Sequence, residues 1–180
     1  MNDYLINFLL GTFIKIVDDH YDLNVYDTRT INIIKVIGFF LLNYVITTGF
    51  EYILIFFLEV IICYFAKQID NIFFKKIATY IIVIFISYLL FYQKEYFNKV
   101  FNLQNISIYF FFACSFIIIE QYTFKEESST TKLLTRLGIL IIAVINMFLH
   151  KNKLLLDFTS LFIGYFSISI LNLSFRKIIN

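Results

Sequence analysis

The sequence predicts an all-α membrane protein, a polytopic bundle of about seven transmembrane helices forming one domain over residues 1–180. Three observations carry that expectation. Of 180 residues, 60% are apolar, and the mean hydropathy is +0.80, more hydrocarbon than a soluble core of this size needs. Charge is confined to short clusters, and between those clusters lie seven apolar segments.

The first segment, Tyr4–Val17, follows a Met-Asn-Asp-Tyr start that has neither a basic region nor a small-residue cleavage site, so it is expected to stay in the mature chain. Segments two and three, Ile33–Thr48 and Tyr52–Ala66, are separated only by Gly49, Phe50 and Glu51. A tight hairpin is expected there, because one unbroken helix of more than roughly 30 residues would overshoot a bilayer at about 1.5 Å per residue. Ile77–Tyr92, Ile106–Ile119, Leu137–Leu149 and Leu154–Leu173 complete the set. Several are shorter than the ~20 residues of a spanning helix, so the helices must run on into their polar flanks or the bilayer must thin locally. Cys63 and Cys114 both fall in apolar segments and read as buried thiols, not a disulfide.

Seven crossings alternate the loops between two sides. Loops Asp18–Asn32, Lys67–Lys76 and Glu120–Arg136 then share a face with the C-terminal tail, and that face holds nine basic residues: Arg29, Lys67, Lys75, Lys76, Lys125, Lys132, Arg136, Arg176 and Lys177. The opposite loops hold four, Lys94, Lys99, Lys151 and Lys153. The Lys/Arg bias makes the richer, acidic-loop side cytoplasmic. A net charge of only +2 argues against a nucleic-acid footprint.

The segment Asp18-Asp19-His20-Tyr21-Asp22-Leu23-Asn24-Val25-Tyr26-Asp27 concentrates four of the thirteen acidic residues. On a helix Asp18 and Asp22 are spaced i,i+4 and Asp19 and Asp22 i,i+3, so three carboxylates share a face and repel unless a cation sits among them. Mg²⁺ takes oxygen ligands from one or two carboxylates and the rest from water or phosphates. Carboxylates and bases at the mouth of an apolar cavity suit a lipid diphosphate: Mg²⁺ with Lys or Arg neutralises the diphosphate and the cavity takes the hydrocarbon tail. The same groups stabilise a departing diphosphate.

Asp18-Asp19-His20-Tyr21-Asp22, followed by Asp27, Arg29 and Thr30, resembles the first aspartate motif of the UbiA-type intramembrane prenyltransferase superfamily. Asp27 stands one residue beyond the expected place, which Tyr26 occupies. Four apolar segments further on, Glu120 through Glu126 and Glu127 to Thr131-Lys132-Leu133-Leu134 and Leu137-Gly138 is similar to the second motif, with Glu for Asp. Tyr64 and Lys67 resemble a Tyr and a basic residue placed near the diphosphate. The resemblance implies transfer of an isoprenyl group from a Mg²⁺-bound isoprenyl diphosphate to an aromatic or lipid-like acceptor. Asp18, Asp19, Asp22, Glu126 and Glu127 would be catalytic, with Asp18, Asp22 and Glu126 on the metal, and Arg29, Tyr64, Lys67 and Lys132 would bind substrate.

Other residues are weighed more evenly. Glu59, inside the third segment, is either functional or a packing partner of Asn43, Asn146 or a basic side chain. His20 reads as a hydrogen-bonding bystander and Asp157 as interfacial. Ser128-Ser129-Thr130-Thr131 reads as a helix cap. With no protease, channel-filter or transporter-repeat pattern, the alternative to an enzyme is a membrane scaffold or assembly subunit whose charged cytoplasmic loops dock a partner.

Overall fold

The computed structural model describes residues 3–23, 26–65, 69, 71–91, 129–149 and 153–179. Among them every regular element is helical: α1 (Asp3–Leu23), α2 (Thr28–Thr47), α3 (Phe50–Phe65), α4 (Ile72–Phe91), α5 (Ser129–Leu149) and α6 (Lys153–Ile179). Three of them hold stretches long and apolar enough to cross a membrane: Thr28–Thr47, Ile72–Phe91 and Lys153–Asn172. The short apolar segments are extended by their polar flanks. Thus α1 runs on through Asp22, and α5 begins at Ser129 rather than near Leu137. The fifth apolar segment, Ile106–Ile119, lies outside the described residues.

Helix ends follow from local chemistry. Asp27 caps α2, its Oδ1 accepting the backbone N–H groups of Arg29 at 3.0 Å and Thr30 at 2.9 Å. Asn71 caps α4 in the same way, accepting from the Phe74 N–H at 2.9 Å. Between α2 and α3 the helix is interrupted at Thr48 and Gly49, and the Tyr52 N–H donates to the Gly49 carbonyl at 3.2 Å. One continuous helix is therefore excluded.

The chain divides into two compact units, Met1–Val45 with Glu126–Asn180, and Ile46–Lys125. In the second, α3 and α4 run antiparallel, and the rings of Phe57 and Phe85 stack with centroids 3.9 Å apart. In the first, α1 and α6 are parallel. Asp3 pairs with Lys153, the Ser160 hydroxyl donates to the Tyr4 carbonyl, and Asn172 meets Asp19, so both helices advance together. Ile6, Leu10 and Val17 on one stripe of α1 are buried, as are Leu155, Phe158, Leu161 and Phe166 on α6. Gly11 and Gly164 mark the closest approach of the two helices. α2 is antiparallel to α1, with Lys35 beside Tyr21 and Gly38 beside Phe13. α5 is antiparallel to α6, with Arg136 reaching the Ser169 carbonyl at 3.5 Å.

The outward faces are apolar. Ile33, Val36, Ile37, Phe40 and Tyr44 of α2 and Ile141, Ile142, Ile145 and Phe148 of α5 are exposed at helical spacing. Such faces suit hydrocarbon rather than water.

Candidate functional site

The polar centre of the first unit is built on the last turns of α1. Lys15 precedes Asp18 and Asp19 by three and four residues, the spacing that sets side chains one above another on a helix. Its Nζ lies 2.7 Å from Asp18 Oδ2 and 3.0 Å from Asp19 Oδ1. The Lys15 side chain is 5% exposed, Asp19 9% and Asp18 30%, so the ammonium is buried while one carboxylate keeps some access to solvent.

α6 completes the cluster. The Asn172 amide donates to Asp19 Oδ2, and the Tyr165 hydroxyl donates to Asp18 Oδ2 at 3.3 Å. The Tyr165 ring also lies beneath the lysine, with Nζ 5.0 Å from its centroid. Two carboxylates, one ammonium, an amide and a phenol thus form one network bridging the parallel helices.

Around this network the acidic stretch is used in separate ways. Asp22 is exposed on the final turn of α1. His20 Nδ1 is buried without a hydrogen-bond partner among the described residues, and its ring packs edge-on against Tyr21 with centroids 5.8 Å apart. Tyr21 receives Lys35 of α2, whose Nζ donates to the phenol oxygen at 2.9 Å and lies 4.6 Å from the ring centroid. Asp27 is withdrawn to the α2 cap, where hydrogen bonds from Thr30, then from Arg29, hold its carboxyl below its ordinary value.

Of the residues expected to bind metal or substrate, the structure brings Asp18 and Asp19 together and spends both on Lys15. Arg29 is exposed at the second position of α2. Tyr64 lies near the end of α3 in the other unit, 73% exposed. Lys132 falls on the first turn of α5, while Lys67, Glu126 and Glu127 lie outside the described residues. Glu59 is half-buried within α3, and Asp157, expected at an interface, is fully buried in α6.

The Asp18–Asp19 pair in this arrangement does not fit Mg²⁺. The ion would need carboxylate oxygens at about 2.0–2.1 Å, and the ammonium already holds one oxygen of each. Among the described residues no group of three or more His, Cys, Asp and Glu side chains is placed to hold a metal.

Lys15, Tyr165 and Asn172 were not singled out by the motif. The i,i+3 and i,i+4 spacing of Lys15 was readable, whereas Tyr165 and Asn172 carry no local signal linking them to α1. No protein-family profile, no characterised protein and no solved structure matches the chain.

Proposed function

We propose that the chain is a multi-pass membrane scaffold, an assembly subunit whose charged cytoplasmic loops dock a partner and whose acidic motif locks helices together. The observation that carries this reading is the Lys15 ammonium lodged between Asp18 and Asp19 and sealed by Asn172 and Tyr165 from α6. Ionisable groups inside an apolar bundle are costly and persist where they are paired and used. These are used to hold α1 against α6.

Helix directions support seven crossings. α2 and α5 both run opposite to the parallel pair α1 and α6. An odd number of crossings must therefore separate α2 from α5 if all these helices span. α3 and α4 supply two, and the remaining apolar segment expected from the sequence, Ile106–Ile119, lies outside the described residues. The Lys/Arg bias places the Asp18 end of α1, the Asn172 end of α6 and the Glu120–Arg136 loop on the cytoplasmic side.

A second reading, Mg²⁺-dependent prenyl transfer from an isoprenyl diphosphate, is supported by the exposed carboxylate of Asp22 one turn beyond Asp18 and by the exposed Arg29. The same reading takes Glu126, Glu127 and Lys67, outside the described residues, and Lys132 as further ligands from the sequence. Titration calorimetry of the full chain in lipid nanodiscs with geranylgeranyl diphosphate, with and without Mg²⁺, separates the two. The scaffold predicts no saturable heat, together with a native-gel complex from its own membranes that dissociates when Lys125, Glu126, Glu127 and Lys132 are neutralised. Magnesium-dependent binding abolished by Asp18→Ala and Asp22→Ala replaces it with the prenyl-transfer reading.

A further inference from the structure

We infer that Lys15 is a built-in counter-cation, whose ammonium stands where a divalent ion would have to bind between Asp18 and Asp19, so that this aspartate pair works without metal. The inference goes beyond the scaffold reading and holds whatever the loops dock.

Geometry comes first. The two carboxylates present Asp18 Oδ2 and Asp19 Oδ1 to a common point, and Nζ occupies that point at 2.7 and 3.0 Å. These are charge-assisted hydrogen-bond distances, not loose surface pairing. The other contacts are also donors: the Asn172 amide to Asp19 Oδ2 and the Tyr165 hydroxyl to Asp18 Oδ2. Donors of this kind satisfy carboxylate oxygens that a metal would otherwise claim.

Charge then decides between lysine and metal. With Lys15 the group carries two negative charges and one positive, eased by the two neutral donors. Adding Mg²⁺ beside the ammonium would place three positive charges against two negative within a few ångströms, and their repulsion grows as the surroundings dry. Lys15 is 5% exposed and lies against the Tyr165 ring, so swinging it away would forfeit both the ion pairs and the aromatic contact. Ammonium and divalent cation are mutually exclusive here.

The test uses the full chain in detergent or nanodiscs. Thermal unfolding is followed over a Mg²⁺ titration, and Mn²⁺ binding is followed by electron paramagnetic resonance. The wild type is expected to unfold at the same temperature with and without millimolar Mg²⁺. Lys15→Met should unfold at lower temperature, recover with Mg²⁺, and bind Mn²⁺ at least about tenfold more tightly than the wild type, because the two carboxylates then repel without their cation. Lys15→Arg should behave as wild type. If Lys15→Met does not fold, the triple variant K15M/D18N/D19N, which removes all three charges, should restore folding and show no Mg²⁺ response. Stabilisation of the wild type by Mg²⁺ that disappears in Asp18→Asn or Asp19→Asn overturns the inference. So does a Lys15→Met chain as stable as wild type, or one that neither Mg²⁺ nor neutralisation of the aspartates recovers.

Discussion

Gly11 and Gly164 lie reciprocally against each other's helix: a Cβ on Gly11 would overlap the Leu161 carbonyl, and a Cβ on Gly164 would overlap the Phe8 carbonyl. Small residues at such a crossing let two backbones approach in a solvent that offers no hydrophobic drive between helices. Gly11→Ala and Gly164→Ala should each destabilise the first unit by about 1–3 kcal/mol, the usual cost of overpacking. Gly138 in α5 is the internal control, because among the described residues nothing lies within 4 Å of its added Cβ. Gly138→Ala should be neutral or gain up to about 1 kcal/mol from helix propensity. Unfolding midpoints of the three variants in one detergent check the contrast.

The two donors from α6 should differ in weight. Asn172 serves the more buried carboxylate, Asp19, while Tyr165 reaches the more exposed Asp18 at 3.3 Å. Asn172→Leu should cost about 1.5–3 kcal/mol, the range for hydrogen bonds to charged groups, and Tyr165→Phe less. Equal losses in unfolding free energy would contradict this ranking.

Asp27 gives a pH dependence with a definite sign. Its carboxyl is held below the ordinary value of 3.8, first by the Thr30 side chain and backbone. The stabilisation of the α2 start is therefore present above 3.8 and lost as pH falls through the lowered folded-state value. Protection of the Arg29 and Thr30 amides, taken relative to their intrinsic exchange rates at each pH, should fall over that range in the wild type. Asp27→Asn, which still caps but does not titrate there, should remove the pH step.

Sidedness is accessible to labelling. In a chain carrying Cys63→Ser and Cys114→Ser, single cysteines at Asp22 and Thr28 should react with a membrane-impermeant maleimide from the cytoplasmic side only. Both positions are exposed, so lack of reaction from that side would count against the orientation and not against access.

Helices, three of them long and apolar enough to span a membrane, were legible because hydrophobic composition and apolar run length act locally. The break at Thr48 and Gly49 was likewise readable, from one glycine and the limit on spanning length. The acidic stretch was harder. Read as a motif, Asp18, Asp19, Asp22 and Asp27 look like one set, yet two pair with Lys15, one is exposed and one caps α2. Lys15 is assignable from its i,i+3 and i,i+4 spacing to Asp18 and Asp19 alone. Tyr165 and Asn172 are not, since only the parallel packing of α1 and α6 brings them to Asp18 and Asp19.

The parallel pairing of α1 with α6 also orders events during synthesis. α1 meets α6 only once α6 has been made, on the order of ten seconds later at about 5–20 residues per second. Throughout that wait Asp19 has no Asn172 and Asp18 no Tyr165. Lys15 is made with them, on the same two turns, and can offset one of their two negative charges before α6 is made. A chain stopped before Lys153 should keep α1 beside α2 but without Tyr165 and Asn172 for its aspartates, and be cleared by membrane quality control.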